Sequence, residues 1–286
     1  MTPRRRPRVV GISRSPAYSP FQHASNDAAI MEATLAELEQ LGWASECIGE
    51  QEVIEHALPP AELYLNMGQG SAAARALLDA EEAGLRFFNR PSSVLRSHRQ
   101  RLVPALQSGK LPFPPTILVR TDRPLNALEY RELGELGPGP LWLKRGGVHA
   151  EREGDVRRLE RAELERGLGQ LAARRIPIAA VQTHVAGPVI KFYGVASNAF
   201  FHAYLAGSKA AVPVELVEGA ALRALAVRAA ARLKLDIFGG DVVVAEPGVP
   251  VLIDLNDWPS FAPIRASAAR AIAGYVHAAR PRGVLQ

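Results

Sequence analysis

Residues 239–261 read GGDVVVAEPGVPVLIDLNDWPSF. Two apolar runs rich in β-branched side chains, Asp241-Val242-Val243-Val244-Ala245 and Val251-Leu252-Ile253-Asp254-Leu255-Asn256, bracket Glu246-Pro247-Gly248-Val249. Pro followed by Gly at the centre of that bracket suits a type II turn, so the pattern predicts a β-hairpin. If Glu246 pairs with Val249, Asp241 faces Asp254, and Asn256 lies two residues further along the same face. Carboxylates opposed in this way stand roughly 5 Å apart and repel, while the other face (Val251, Ile253, Leu255) wants a core. A divalent cation relieves the repulsion. So small a set of oxygen ligands suits Mg²⁺ or Mn²⁺ keeping waters and nucleotide phosphates in its shell, and no Cys/His cluster is present for zinc. The alternative is a solvated hairpin with incidental acids, because two-residue loops favour primed turns.

Gly240-Asp241 followed by Asp254-Leu255-Asn256-Asp257-Trp258-Pro259 resembles the metal-binding end of the ATP-grasp superfamily. The resemblance implies ATP as co-substrate and Asp241, Asp254 and Asn256 as metal ligands. Because these side chains lie on the polar face, Asp254→Ala or Asn256→Ala is expected to remove metal-dependent turnover and to leave the fold intact.

The chain has 286 residues and is 48% hydrophobic, enough for two or three compact units sharing cores. Its single cysteine, Cys47, excludes an intramolecular disulfide framework and fits a reducing compartment. No 18-residue apolar run and no signal-peptide core is present, so a cytoplasmic location and no membrane contact are expected. The formal charge of +5 comes from dispersed arginines without interleaved aromatics, which argues against nucleic acid and suits a small anionic ligand.

In order, Arg8–Ser13, Ser45–Ile48, Glu62–Met67 and Arg86–Asn89 read as strands. Between them lie a helix capped by Ser25-Asn26-Asp27, with an apolar face of Met31, Leu35, Leu38 and Leu41, and a second helix reaching Ala83. This alternation implies a small parallel α/β domain. Gly68-x-Gly70-x-x-Ala73 imitates a dinucleotide fingerprint, but it lacks the following acid and does not follow the first strand. The competing reading is a tight turn whose amides line a substrate pocket. Asn89-Arg90-Pro91-Ser92-Ser93 reads as a linker into a basic helix, Val94–Gln107, and Thr116–Val119 as the next strand. Glu151–Ala173 reads as an exposed helical segment. Ile178–Val185, Val189–Val195 and Phe200–Leu205 read as strands, and a helix striped by Leu222, Leu225, Ala226, Ala229 and Leu233 returns to the hairpin. Pro263 can open a last helix whose Arg265 meets a phosphate or substrate anion, or stands as a surface arginine.

The remaining matches to the ATP-grasp superfamily follow the same order. Arg99, in His98-Arg99, stands where the family carries an Asp-Lys pair whose lysine meets nucleotide phosphate. Lys144 ends an apolar strand before the glycine loop Arg145-Gly146-Gly147, and the family's lysine here pairs with the α- and β-phosphates. Gln182, Thr183 and His184 occupy the hinge whose backbone reads adenine, with Thr183-His184 in place of Glu-Phe. Lys191 and His149 resemble the inositol-phosphate kinase branch, whose second strand lysine meets nucleotide phosphate and whose histidine meets the phosphorylated substrate; other features are similar to the glutathione-synthetase-like branch. The implied fold is mixed α/β and α+β: an N-terminal Rossmann-like pre-ATP-grasp domain (1–92), a central lobe (93–180) and a C-terminal lobe with the metal hairpin (181–286). Lys144 and Lys191 then reach ATP from two different lobes. The implied activity is a ligase that makes an acyl phosphate for an amine to attack. The alternatives are a kinase of a polyol or inositol-phosphate-like hydroxyl, and a nucleotide-binding protein without turnover. A small-molecule substrate is the expected partner, and a homodimer stays open.

Overall fold

The computed structural model describes residues 6–19, 24–147, 152, 154–196, 199–208, 210–213 and 216–280. They form three four-stranded sheets. In the first, β1 (Arg8–Ser13) pairs in parallel with β2 (Ala44–Gly49) and β3 (Leu63–Asn66), and β4 (Phe87–Phe88) completes the order β2-β1-β3-β4. The connections carry α1 (Ala24–Gln40), the single turn α2 (Glu52–Glu55), α3 (Ser71–Ala76) and α4 (Leu78–Glu82). Ser25, Asn26 and Asp27 lie inside the first turn of α1 rather than capping it. Met31, Leu35 and Leu38 are buried as the periodicity requires, but Leu41 lies beyond the helix and is 44% exposed, because Gly42 at φ +90° turns the chain there.

The expected linker at Asn89 is an anchor. Asn89 is fully buried, and its Oδ1 accepts from the N–H groups of Asp236 (2.7 Å) and Ile237 (2.8 Å). Pro91 then opens α5 (Pro91–Ser97), where its missing N–H costs nothing. Extended backbone at His98 (φ −62°, ψ 132°) separates α5 from α6 (Arg99–Ser108), so the single helix expected over Val94–Gln107 is two.

The second sheet contains β5 (Thr116–Arg120), β6 (Leu141–Arg145), β7 (Val156–Leu159) and β8 (Ile178–Thr183) in the order β5-β8-β6-β7, all neighbours antiparallel. The helices α7 (Ala127–Glu135) and α8 (Leu164–Ala173) cover one face. The exposed helical segment expected over Glu151–Ala173 is therefore corrected. Its first part is the edge strand β7, whose exposed Arg158 puts a charge on the solvent side, and Leu159, Leu164, Leu168 and Leu171 are all buried in this sheet's core.

The third sheet has the antiparallel order β10-β9-β11-β12. Its strands are β9 (Val189–Val195), β10 (Phe200–Leu205), β11 (Ile237–Ala245) and β12 (Val249–Asp257), with α9 (Gly219–Leu233) before β11 and α10 (Arg265–Ala278) after β12. α9 and α6 bury leucines against this sheet, whereas α10 packs on α1 and shares the first sheet's core. Residues 180 and 181 both lie within β8, a strand of the second sheet. Among the described residues no helix is long and apolar enough to cross a membrane.

Candidate active site

The hairpin forms with the predicted pair but by another route. Gly248 N–H bonds to Ala245 O (2.7 Å), so the turn centres on Glu246 and Pro247, one residue earlier than a Pro-Gly turn, and Ala245 pairs with Val249. That register would place Asp241 opposite Ile253. A bulge at Ile253 absorbs the extra residue, and Asp241 stands opposite Asp254. The bulge also reverses the parity of β12. Leu252 and Leu255 are fully buried, whereas Val251 and Ile253, expected in the core, are only partly covered. Gly239 pairs with Asn256, which shares the Asp254 face.

On its other side Asp241 stands opposite Lys191 of β9, and Lys191 stands opposite Tyr204 of β10. One row across the sheet thus reads Tyr204, Lys191, Asp241, Asp254. Lys191 Nζ donates to Asp241 Oδ1 at 2.8 Å. Burial pushes the Asp241 carboxyl above its ordinary range, an effect Lys191 opposes. Burial also works against charge on Lys191, but Asp241 outweighs it and holds the ammonium above its usual value. Gly240 makes this row possible. A Cβ there would lie 2.3 Å from Asp254 O and 2.7 Å from the Phe192 ring. Gly240→Ala is therefore expected to cost about 2–3 kcal/mol, read as a lower urea midpoint, because backbone and a buried ring must both move.

The second sheet presents the facing wall. Trp142 and Lys144 alternate with the buried Leu141 and Leu143 on β6, and Gln182 of β8 lies opposite Trp142. Lys144 is 6% exposed, and its Nζ donates to Ile253 O at 2.7 Å, bridging β6 to the bulge. Burial lowers its pKa to about 8, partly offset by Asp254. Gln182 donates to Thr116 Oγ1 (3.0 Å), Thr183 Oγ1 to Leu136 O (3.2 Å), and Trp142 Nε1 to His184 Nδ1 (3.1 Å). The N–H groups of Thr183 and His184 are committed to Pro115 O and Pro140 O. Neither amide is therefore open to a ligand, and the next residue, Val185, lines the same cavity.

Arg99 opens α6 and is 3% exposed. It reaches Asp254 Oδ2 (2.9 Å) and Arg145 O (3.3 Å), so in this structure it is the partner of an expected metal ligand. Removing Asp254 would leave a buried guanidinium without its counter-charge, so Asp254→Ala is expected to cost stability as well as turnover. Arg265 donates to Asn26 Oδ1 of α1 (2.7 Å) and lines neither of the cavities that reach the carboxylates. His149 lies outside the described residues.

Two cavities meet at the carboxylates. One of about 260 Å³ lies between the second and third sheets, lined by Trp142, Lys144, Gln182 to Val185, Lys191, Asp241 and Asp254. The other, about 650 Å³, opens toward the C-terminal end of β1 and is lined by Arg14, Tyr18, Asp27, Gln69, Arg99, Tyr193, Tyr204, Asn256 and Asp257 together with Lys191, Asp241 and Asp254. Sequence reasoning missed the residues at its far end. Arg14 is held by Asp27 (2.9 Å) and Trp258 O (2.9 Å), and Asp257 accepts from Gln69 (3.3 Å) and Ser97 (3.1 Å). Arg14's place directly after the first strand was the available signal, since ligands of α/β sheets gather at the carboxyl ends of strands. At the Gly68–Ala73 loop Glu50, 2% exposed, accepts from Gly70 N–H (2.9 Å) and Ser15 N–H, so the chain's own carboxylate stands where an anion would meet those amides.

The donor set fits a hard divalent cation. Asp241 and Asp254 oppose each other in register, Asn256 adds an amide oxygen, and the burial that raises the Asp241 pKa is the strain a cation relieves. Among the described residues no group of three or more His, Cys, Asp or Glu forms a metal cage, so other oxygens would have to complete the shell.

No family model matches the sequence, and a search of curated proteins returns no significant match. Solved structures do match over nearly the whole chain. A D-alanine–D-alanine ligase from Bacillus anthracis complexed with ATP aligns with TM-score 0.69 at 15% identity, covering 96% of this chain and 97% of that one. A VanG D-Ala:D-Ser ligase from Enterococcus faecalis aligns with TM-score 0.70 at 11% identity, covering 96% of this chain and 100% of that one. A RimK domain ATP-grasp protein from Sphaerobacter thermophilus aligns with TM-score 0.64 at 20% identity, covering 94% and 99%. At such identities the likeness is one of architecture, and it establishes that the chain has the ATP-grasp fold.

Proposed function

We propose that the protein is an ATP- and Mg²⁺-dependent ligase that activates a carboxylate as an acyl phosphate and passes the acyl group to an amine. The observation that carries this reading is the meeting of two cavities on one set of groups, Lys191, Asp241 and Asp254. The smaller cavity takes ATP, with the base near Val185 and Lys144 and Lys191 on the phosphates. The larger takes the carboxylate and amine. A carboxylate oxygen attacks the γ-phosphorus as the bond to ADP breaks; the amine then attacks the acyl carbon, phosphate leaves, and the amine proton passes to solvent. Asp241, Asp254 and Asn256 would hold the metal, which supplies charge neutralisation at the transferring phosphoryl group.

Charge in the larger cavity favours this over phosphorylation of an already phosphorylated polyol. Among the described residues Arg14, Arg99 and Lys191 are paired with Asp27, Asp254 and Asp241, and Asp257 adds a fourth carboxylate. Asp27 and Asp257, the two of these acids that the metal would not hold, suit the ammonium of an amine substrate better than a second phosphate. Two of the matching structures, named as ligases of D-alanine with D-alanine or D-serine, support the same class.

The test is a screen of amino-acid and other carboxylate–amine pairs. ADP and free phosphate are expected together, in equal amounts, only when both partners are present, and hydroxylamine should trap an acyl phosphate made from the carboxylate alone. Label from γ-phosphate remaining on a hydroxyl acceptor, with no free phosphate, would establish the kinase instead.

A further inference from the structure

Asp241 and Asp254 each carry a cation of the chain, and the two pairs differ. Lys191 makes one contact, 2.8 Å to Asp241 Oδ1, and its side chain is 45% exposed, so rotation can release it toward a phosphate. Arg99 cannot leave in this way. Its side chain is 4% exposed and clamped at two points, Asp254 Oδ2 (2.9 Å) and Arg145 O (3.3 Å), and the next residue is tied down by Gln100 N–H to Gly146 O (2.8 Å). A fixed fork of this kind is a permanent charge, not a mobile one.

Two-metal phosphoryl-transfer sites hold ions about 3.5–4 Å apart, a spacing that a carboxylate giving an oxygen to each commonly sets. Asp254 has Oδ2 committed to Arg99 and Oδ1 already accepting from Leu255 N–H (3.2 Å), which leaves Oδ1 room for one ion and not two. We infer that Arg99 stands in for a second metal, and that this chain works with a single divalent cation held by Asp241, Asp254 and Asn256. The inference rests on the metal-assisted reading above and deepens it: Arg99 is a built-in counter-cation to Asp254, and the nucleotide brings only one metal ion with it.

The test counts ions rather than turnover. Mn²⁺ is titrated into the full chain in the presence of a non-hydrolysable ATP analogue, bound ions are counted by equilibrium dialysis, and the electron paramagnetic resonance spectrum shows whether they are coupled. Wild type is expected to bind one Mn²⁺ per chain, with the simple six-line spectrum of an isolated ion. Arg99→Met should admit a second ion and show the exchange-coupled spectrum of a close pair, whereas Arg99→Lys, which keeps the cation, should stay at one. Two coupled ions in wild type would overturn the inference without touching the proposed reaction, and a single ion in folded Arg99→Met would remove Arg99 from the role. If Arg99→Met does not fold, the wild-type count and spectrum still decide. No bound ion in wild type would overturn this inference and the metal-assisted reading together.

Discussion

Lys144→Met is expected to weaken ATP binding by about 10²-fold while raising the melting temperature, because the two consequences come from the same buried charge. Lys144 is 6% exposed and its pKa is lowered to about 8, from 10.5. Each tenfold change in a proton equilibrium is worth about 1.4 kcal/mol, so keeping this lysine protonated in the folded chain costs roughly 3 kcal/mol at neutral pH. Met retains the aliphatic stem but removes the donor to Ile253 O, a loss of about 1–2 kcal/mol. The balance is a gain of about 1–2 kcal/mol, or about 2–6 °C. The pH dependence has a definite sign. A lysine depressed by folding burdens the native state fully below the folded pKa near 8, and the burden fades as pH rises toward the unfolded value. The advantage of Lys144→Met should thus be complete at pH 7 and shrink above pH 8, as melts at a series of pH values will show. Calorimetry that found unchanged ATP affinity would remove Lys144 from the phosphate site.

At the hairpin, the Asp241 and Asp254 pairing was legible in the sequence because period-2 alternation and a Pro-Gly signal fix a register to within a residue. The turn sits one residue earlier and Ile253 bulges, and these shifts cancel beyond the bulge, so the carboxylates meet although the core face changes from Val251 and Ile253 to Leu252. Lys144 was legible as a lysine ending an apolar strand, where an ammonium needs a partner, and Lys191 through the family resemblance alone. The Arg99–Asp254 pair was not, since it joins residues 155 apart that no periodicity relates. Nor was the commitment of the Thr183 and His184 amides to Pro115 and Pro140, which depends on how β5, β6 and β8 pair. Leu159 to Leu171 looked sparse in one dimension, yet their side chains converge beneath the second sheet. Local chemistry was readable; partners distant in sequence, which only the pairing of elements brings together, were not.

Asp254→Asn and Asp241→Asn should both reduce turnover by at least about 10³-fold, yet differ in stability. Asp254 is 18% exposed in its side chain and holds Arg99, 4% exposed, so neutralising it leaves a buried guanidinium without its counter-charge, a cost of about 3 kcal/mol. Asp241 holds Lys191, whose side chain is 45% exposed and can turn to water, so that loss should stay below about 1 kcal/mol. The burial that already raises the Asp241 pKa makes a neutral amide easier to accommodate there. The double variant Arg99→Met with Asp254→Asn removes both buried charges, and it should regain stability to within about 1 kcal/mol of wild type while staying inactive. Urea unfolding of the four proteins, beside ADP release with saturating ATP, Mg²⁺ and both substrates, separates the two roles of Asp254. An Asp254→Asn midpoint equal to wild type would mean that Arg99 is satisfied elsewhere. Residual turnover near the wild-type rate in either single variant would mean that the carboxylate pair holds no catalytic metal.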